Sequence, residues 1–411
     1  MIAGCIPLYQ NILSVLIILL VLNLLFSKEL RVDKFKISWI IVPLALFFGA
    51  HLVGVLWSEN QSFAWFDVQI KLSFLLFPLL FLVAKPFDKK QFEMILSGYL
   101  IGCVLAIIYG GVNSAVNFIS GENSYLNFYE SNISPTLHIG YFSMYMNFAI
   151  IILIHKLYFN SKSLFSLVNL GRIFLLLLFA VAIFLSTSRN GFLALIAVLL
   201  LIVVYSIVSR RKWMFGTLLV LISWIALSSF LKDYKNSTSD FHGFKQVAVA
   251  VEKKEVRKAE WESSAVRLLV WQTAVEIIKE NPLLGTGTGD IKDELVKRYK
   301  EKEYVYAYKR KYNAHNQFLQ TAAALGIPTA ILLLIMIISP LFYGWKRWHF
   351  LGLFLATIVG IACLTESVLE VQAGVIFYTF FASLFAQNMR SDYGTNFIDN
   401  PLIIKRKQLK E

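Results

Sequence analysis

Three side chains from separate parts of the sequence have the types needed to act on a phosphorylated substrate. Arg189 lies in the segment Ser186–Gly191, Arg267 lies in a segment with helical periodicity, and His315 directly precedes an apolar segment. A guanidinium offers planar, paired donors to phosphate oxygens and stays charged when partly desolvated. An imidazole, with a reference pKa of about 6.5, can accept a hydroxyl proton near neutral pH. If they met at one face of a membrane, they would together suit a lipid-linked diphosphate as substrate. Each residue alone has a simpler explanation: Arg189 as a charge in a turn, Arg267 as a solvated helix residue and His315 as a histidine at the start of a helix.

The composition places these residues in a membrane protein. Of the 411 residues, 57% are hydrophobic and 16% are charged, whereas a soluble chain has about 25% charged residues. About eleven apolar segments are long enough to cross the hydrocarbon, which takes about 20 residues each. We therefore predict an all-α polytopic membrane protein with about 11–12 transmembrane helices. The segments lie roughly at 10–26, 37–57, 68–84, 92–112, 137–155, 171–187, 190–208, 213–231, 316–343, 349–365 and 372–389.

The distribution of basic residues predicts the topology. Lysine and arginine cluster in alternate connections, while the short connections 58–67, 113–136 and 366–371 contain none. By the positive-inside rule these three connections are extracytoplasmic, and eleven spans place the N-terminus outside and the C-terminus inside. The same topology brings Arg189, Arg267 and His315 to one membrane face. Because the net charge of +13 divides between the two sides, it gives no argument for nucleic acid.

We predict four parts along the chain. Residues 1–231 form a bundle of about eight transmembrane helices, and 315–389 add about three. Between them, 232–314 form a large external loop with amphipathic helices near 263–281 and 290–304. Residues 390–411 form a basic cytoplasmic tail. Gly326 and Pro328 predict a kink in the span that follows His315.

Four further residues are candidates for support of the site. Lys71, in an apolar segment, either marks a functional position or extends to the interface. His138 either contacts substrate or packs at the interface. Trp271 lies one helical turn after Arg267, beside the same apolar stripe, and Asn316 follows His315.

Several acidic and glycine-rich motifs have simpler explanations. Gly285–Asp290 follows a helix and lacks the Lys-Ser/Thr ending of a phosphate loop, so it is read as a turn. Asp290, Asp293 and Glu294 are expected to be first-turn acids that favour a helix dipole. Glu366 and Glu370 are expected to be solvated in an outer hairpin. No Asp-x-Asp triplet is present, so a metal-held nucleotide-sugar site has no support. No cofactor is predicted.

The motifs resemble those of the O-antigen ligase/polymerase superfamily of bacterial inner-membrane glycosyltransferases. The resemblance runs from about residue 130 onwards, with weaker landmarks at His138–Ser143 and Glu366–Glu370. Its main motifs are Ser186–Gly191, Arg267-x-x-x-Trp271, Asn281–Gly289, His315–Leu319 and Leu325–Pro328.

The resemblance implies a metal-independent, inverting transfer on the periplasmic face of the inner membrane. A glycan would move from undecaprenyl diphosphate to a sugar hydroxyl of lipid A-core or another glycan acceptor. Arg189 and Arg267 would hold the diphosphate and His315 would activate the acceptor. The partners would then be these two substrates and membrane lipids, and the external loop would be periplasmic.

Two alternative functions are compatible with these residues. A polysaccharide polymerase would use the same residues with a second lipid-linked glycan as acceptor. A transporter for the same lipid belongs to a different class, but transporters place binding groups near the membrane midplane, where these spans carry little charge.

Overall fold

The computed structural model describes residues 1–8, 10–26, 40–122, 128–158, 165–208, 263–347 and 350–388. Within these ranges the chain contains helices and turns but no strand, which confirms the predicted all-α class. The helices are α1 (Ile2–Cys5), α2 (Asn11–Phe26), α3 (Ile41–Gly54), α4 (Gln61–Lys71), α5 (Ser73–Val83), α6 (Lys89–Asn117), α7 (Ile139–Tyr158), α8 (Leu167–Leu185), α9 (Arg189–Val208), α10 (Ser263–Glu280), α11 (Ile291–Glu301), α12 (Val305–Arg310), α13 (Gln317–Arg347), α14 (Phe350–Thr365) and α15 (Gln372–Asn388).

Many of these helices are apolar enough to lie in a membrane. Five described helical segments have the length and composition to cross it, and four shorter apolar helices accompany them. The predicted span at 213–231, the loop segment 232–262 and the tail 390–411 lie outside the described residues. The number of spans and the division into four parts therefore stay predictions. The five long segments are Gln61–Val83, Lys89–Ser120, Ile139–Leu157, Leu167–Leu185 and Gln317–Pro340.

Helix α7 lies at the centre of the bundle. It packs against α8, α9 and α14, while α13 packs against α14 and α3, and α15 packs against α5. Aromatic side chains fill the space between these helices. Phe148 and Phe381 lie 4.7 Å apart between ring centroids, and Tyr99 lies 5.0 Å from Phe381. Edge-on contacts of this kind fix the packing of neighbouring helices.

A second apolar core attaches α10 and α11 to α13. Leu269 and Val270 of α10, Leu295 of α11 and Ala323 of α13 are all buried in it. Because the apolar face of α10 is committed to this core, the helix holds Arg267 in a fixed position.

Helix α13 contains the predicted break. Gly326 adopts φ 80° and ψ 166°, which confirms the expected kink near Gly326 and Pro328. A Cβ atom at this position would lie 2.0 Å from the carbonyl oxygen of Leu283. Only glycine therefore allows α13 to meet the turn that follows α10.

The turn Gly285–Asp290 joins three parts of the fold. The amides of Thr286 and Gly287 donate to the carbonyls of Ala323 (3.0 Å) and Ala324 (2.8 Å) on α13. The Thr288 hydroxyl donates to the carbonyl of His51 on α3 at 2.7 Å. The motif is thus a docking turn between α3, α10 and α13.

The acidic residues after this turn bind the start of a second helix, α4, in addition to their place at the start of α11. The Asp290 carboxylate accepts hydrogen bonds from the backbone amides of Glu59 (2.8 Å) and Asn60 (2.7 Å). Asp293 accepts from the Asn60 side chain at 2.7 Å. Both acids therefore bind the start of α4. Asp293 and Glu294 also lie in the first turn of α11, as predicted, and Asp290 directly precedes that helix.

Candidate functional site

Glu366 brings together two of the three residues first singled out. It follows α14 directly, and its Oε2 lies 2.7 Å from Nδ1 of His315. Its Oε1 accepts a hydrogen bond from Nη2 of Arg267. One carboxylate therefore holds a histidine from the start of α13 and an arginine from α10. The expectation that Glu366 is merely solvated is wrong.

The charge on Glu366 determines which ring nitrogen of His315 carries the proton. Burial raises the pKa of the Glu366 carboxyl, but the hydrogen bond from His315 and the charge of Arg267 outweigh it, so the pKa lies below its ordinary value. An ionised carboxylate only accepts hydrogen bonds, so Nδ1 of His315 must carry the proton. In the neutral imidazole, Nε2 then presents a lone pair and can act as a base.

The backbone around His315 is unusual and is fixed by side chains. His315 has φ 43°, in the left-handed region that non-glycine residues seldom adopt. Its amide donates to Oδ1 of Asn313 at 3.0 Å. Such strain persists only where the surroundings determine it, and it often accompanies functional sites.

Asn316 connects α13 to α14. Its Oδ1 accepts from the amides of Phe318 (2.9 Å) and Leu319 (3.1 Å), which caps α13. Its Nδ2 donates to the carbonyl of Leu364 at 3.0 Å, close in sequence to Glu366. Asn316 therefore keeps the histidine and its carboxylate partner in register.

Arg189 begins α9 at the same end of the bundle. The preceding Thr187 has φ 50°, and Ser188 accepts the amide of Gly191 at 3.2 Å. The Ser143 hydroxyl of α7 donates to that of Ser188 at 2.9 Å. Helix α7 thus fixes the start of α9 and, with it, Arg189.

Helix α7 also contacts the hairpin that carries Glu366. The Tyr141 hydroxyl donates to the carbonyl of Val368 at 3.4 Å. Arg189 therefore lies at the end of the bundle that holds the Glu366 hairpin, whereas Arg267 and His315 are joined directly through Glu366.

His138 lies near the same hairpin. Its Nδ1 accepts the amide of Gly140 at 3.2 Å, just before the first turn of α7. His138 is also among the groups that lower the pKa of Glu366. Its contact is structural, and its electrostatic influence reaches the candidate site.

Lys71 is buried in an ionic cluster beneath the hairpin. Its side chain is 0% exposed, and Nζ lies 2.5 Å from Asp67 Oδ1 and 3.3 Å from Glu370 Oε2. The alternative that Lys71 extends to the membrane interface is therefore wrong. Glu370 is likewise ion-paired rather than simply solvated.

The cluster continues on both sides of Lys71. Nδ1 of His51 lies 3.0 Å from Asp67 Oδ2. Gln317 of α13 donates to Glu370 at 2.7 Å and accepts from the amide of Leu369 at 2.7 Å. Gln317 lies two residues after His315, and its partners Leu369 and Glu370 lie in the hairpin that carries Glu366. The cluster therefore supports both ends of the Glu366–His315 contact.

Trp271 has an unsatisfied polar group near the site. Its indole N–H is buried and has no hydrogen-bond partner among the described residues. Buried donors of this kind usually have a partner. Trp271 lies one turn from Arg267 on α10, so this unpaired donor lies close in the fold to the Arg267–Glu366 contact.

Sequence reasoning missed four members of this arrangement: Glu366, Asp67, His51 and Gln317. A usable signal existed for Asp67, which precedes Lys71 by four residues and so lies on the same helix face. The role of Glu366 depends on a contact between distant segments, which spacing does not show.

The fold and site define a class of protein: a multi-pass α-helical membrane protein with a charged site at one end of the bundle. A family model described as O-Antigen ligase matches residues 174–334. The match covers Arg189, Arg267 and His315. It supports the resemblance to the O-antigen ligase superfamily that the motifs indicate, and with it a membrane glycosyltransferase-like enzyme of the ligase or polymerase type.

One curated relative is also similar. An uncharacterized protein of Haemophilus influenzae is 24% identical over 221 residues, which is 53% of this chain and 54% of the relative. The aligned region thus spans about half the length of that relative.

Proposed function

We propose that the protein is an O-antigen ligase-type glycosyltransferase. It moves a glycan from undecaprenyl diphosphate to a sugar hydroxyl of lipid A-core on the periplasmic face of the inner membrane. The observation that carries this proposal is the single carboxylate of Glu366, which holds Arg267 and His315 together.

His315 acts as the general base. Glu366 keeps the proton on Nδ1, so Nε2 accepts the proton of the acceptor hydroxyl. Proton transfer by a positioned side chain contributes about 10²–10⁴-fold to the rate. Glu366 also stabilises the imidazolium that forms, because its charge is opposite.

The two arginines bind the diphosphate. Arg267 uses one N–H group for Glu366, and its side chain remains 36% exposed, so further donors are available to phosphate oxygens. Arg189 provides a second guanidinium from α9. Preorganised donors of this kind stabilise the charge that develops on the leaving group.

The reaction is a single displacement. The acceptor oxygen forms a bond to the anomeric carbon while the bond from that carbon to the diphosphate oxygen breaks. The bonding electrons leave with the diphosphate, and the hydroxyl proton moves to Nε2 of His315. Attack opposite the leaving group inverts the configuration at the anomeric carbon. Because guanidinium groups neutralise the diphosphate in this scheme, we expect activity to persist in EDTA.

The test is glycan transfer by the purified full-length protein in detergent, with a lipid-linked donor and a lipid A-core acceptor. His315→Ala should reduce turnover by about 10²-fold or more, while Lys300→Ala, an exposed site on α11, should leave it unchanged. Near-normal transfer by His315→Ala would remove the proposed base. Transfer in detergent also excludes transport as a sufficient description.

A deletion strain separates ligase from polymerase. Loss of all polymer attached to the core supports the ligase. A single repeat unit remaining on the core would contradict the ligase and assign the polymerase instead.

A further inference from the structure

Aromatic and basic side chains continue from His315 along α12. The rings of His315 and Tyr312 lie 4.9 Å apart and nearly perpendicular. Tyr312 lies 5.9 Å from Tyr306, and the Arg310 guanidinium lies 5.7 Å from the Tyr306 ring. The four side chains therefore form a continuous series, which we call the aromatic ridge.

The ridge is open to ligands and positively charged. Tyr306 is 42% exposed, and Lys309, Arg310 and Lys311 are exposed. Residues 305–312 contain three basic residues and no acidic one. The buried Ala307 holds α12 on the second apolar core, so the tyrosines lie on an anchored support.

These chemical properties match those of an acidic carbohydrate. A tyrosine ring offers a flat face of negative potential, against which the C–H groups of a sugar ring can pack, and a hydroxyl that remains wet. It does so at low conformational cost. A guanidinium forms paired hydrogen bonds with phosphate or carboxylate groups. The alternation of rings and cations thus fits sugar units that carry anionic substituents.

We propose that Tyr312, Tyr306 and Arg310 form a binding subsite for an acidic acceptor glycan, one that carries phosphate or carboxylate groups. This inference rests on the proposed function, because it takes His315 as the base for the acceptor hydroxyl. The sugar that reacts lies against Tyr312 beside His315, and the next units lie along Tyr306 and Arg310.

An anionic membrane surface is the competing ligand for such a patch. The acceptor is favoured because the ridge begins in ring contact with His315, which a surface anchor does not require. A membrane anchor would also work through net charge alone, with little dependence on an individual tyrosine ring.

Binding is measured with the full-length protein in detergent, with an oligogalacturonate as the acidic probe and a neutral malto-oligosaccharide of equal length as its control. Arg310→Ala should weaken binding of the acidic probe about tenfold, and Tyr306→Ala should weaken it several-fold, whereas Tyr306→Phe should keep it. Lys300→Ala removes an exposed positive charge on α11 and should leave binding unchanged. Elution as the native detergent complex shows that each variant is folded.

Catalytic measurements give a second readout. Arg310→Ala should raise KM for the lipid A-core acceptor and leave KM for the lipid-linked donor unchanged. A rise in the donor KM alone would assign the ridge to the donor glycan and overturn the proposal.

Three further outcomes would overturn it: no binding of the acidic probe by the wild type, equal binding by Arg310→Ala and Tyr306→Ala, or ridge-dependent binding to phosphatidylglycerol vesicles in place of the probe. None of these touches the transfer reaction. His315→Ala should still bind the probe while it loses transfer, so the subsite and the proposed function fail in distinguishable ways.

Discussion

Glu366 Oε2 lies 2.7 Å from His315 Nδ1, although 51 residues separate them in sequence. This contact orients the imidazole, and in the proposed reaction it leaves Nε2 as the nitrogen that accepts the hydroxyl proton. The same carboxylate also accepts a hydrogen bond from Arg267. One side chain therefore contacts both the candidate base and a residue proposed to bind phosphate.

Replacement of Glu366 should therefore affect catalysis more than folding. Glu366→Gln keeps the shape but loses the charge, so the proton on Nδ1 is no longer favoured and the imidazolium is no longer stabilised. We expect kcat to fall by about ten- to hundredfold, as for loss of a charged hydrogen bond. Steady-state transfer kinetics measure this, with exposed Glu301→Gln on α11 as the control. An unchanged kcat would contradict the role of Glu366.

The same carboxylate predicts a pH dependence of stability. Its pKa is lower in the folded protein than its ordinary value of about 4.3. Its contribution to stability is therefore present above pH 4.3 and is lost as the pH falls through the lower folded value. The unfolding temperatures of the wild type and Glu366→Gln should differ at neutral pH. This difference should shrink as the pH falls below about 4.3 and disappear below the lower folded pKa. A difference that persists at low pH would show that the charge is not its source.

Arg189→Lys should impair transfer despite the retained charge. An ammonium group cannot reproduce the paired, planar donors of a guanidinium. We expect a loss of about tenfold or more in kcat/KM. Arg172→Lys, on α8, is the matched control and should be near normal. Wild-type kinetics for Arg189→Lys would mean that a point charge is sufficient.

Replacing one member of the buried Lys71–Asp67 pair should lower the stability of the protein more than replacing both. Lys71→Met leaves Asp67 buried without its cation and should destabilise the protein by about 3–5 kcal/mol. The double variant Lys71→Met with Asp67→Leu should recover part of this loss, because both charges are removed together. Unfolding temperatures in detergent test the order. A double variant less stable than Lys71→Met would contradict the interpretation.

The fold class could be predicted from the sequence, because the lengths of the apolar segments and the distribution of basic residues between connections are patterns of the whole chain. The break at Gly326 was also predictable, since glycine and proline act locally. The relationships of Glu366 were not, because a glutamate in a short hairpin looks solvated until the packing of α10, α13 and α14 is known. The environment of Lys71 was predictable only in part: its partner Asp67 lies four residues earlier, whereas its second partner Glu370 is 299 residues away.

The turn Gly285–Asp290 limits the motion available during a catalytic cycle. Its amides are bonded to α13, and Thr288 and Asp290 are bonded to α3 and the start of α4. A lid movement of α10 would break these attachments together, and Arg267 would leave Glu366 with it. If the proposed reaction occurs here, the Arg267–Glu366 contact should keep its geometry while substrates bind and products leave.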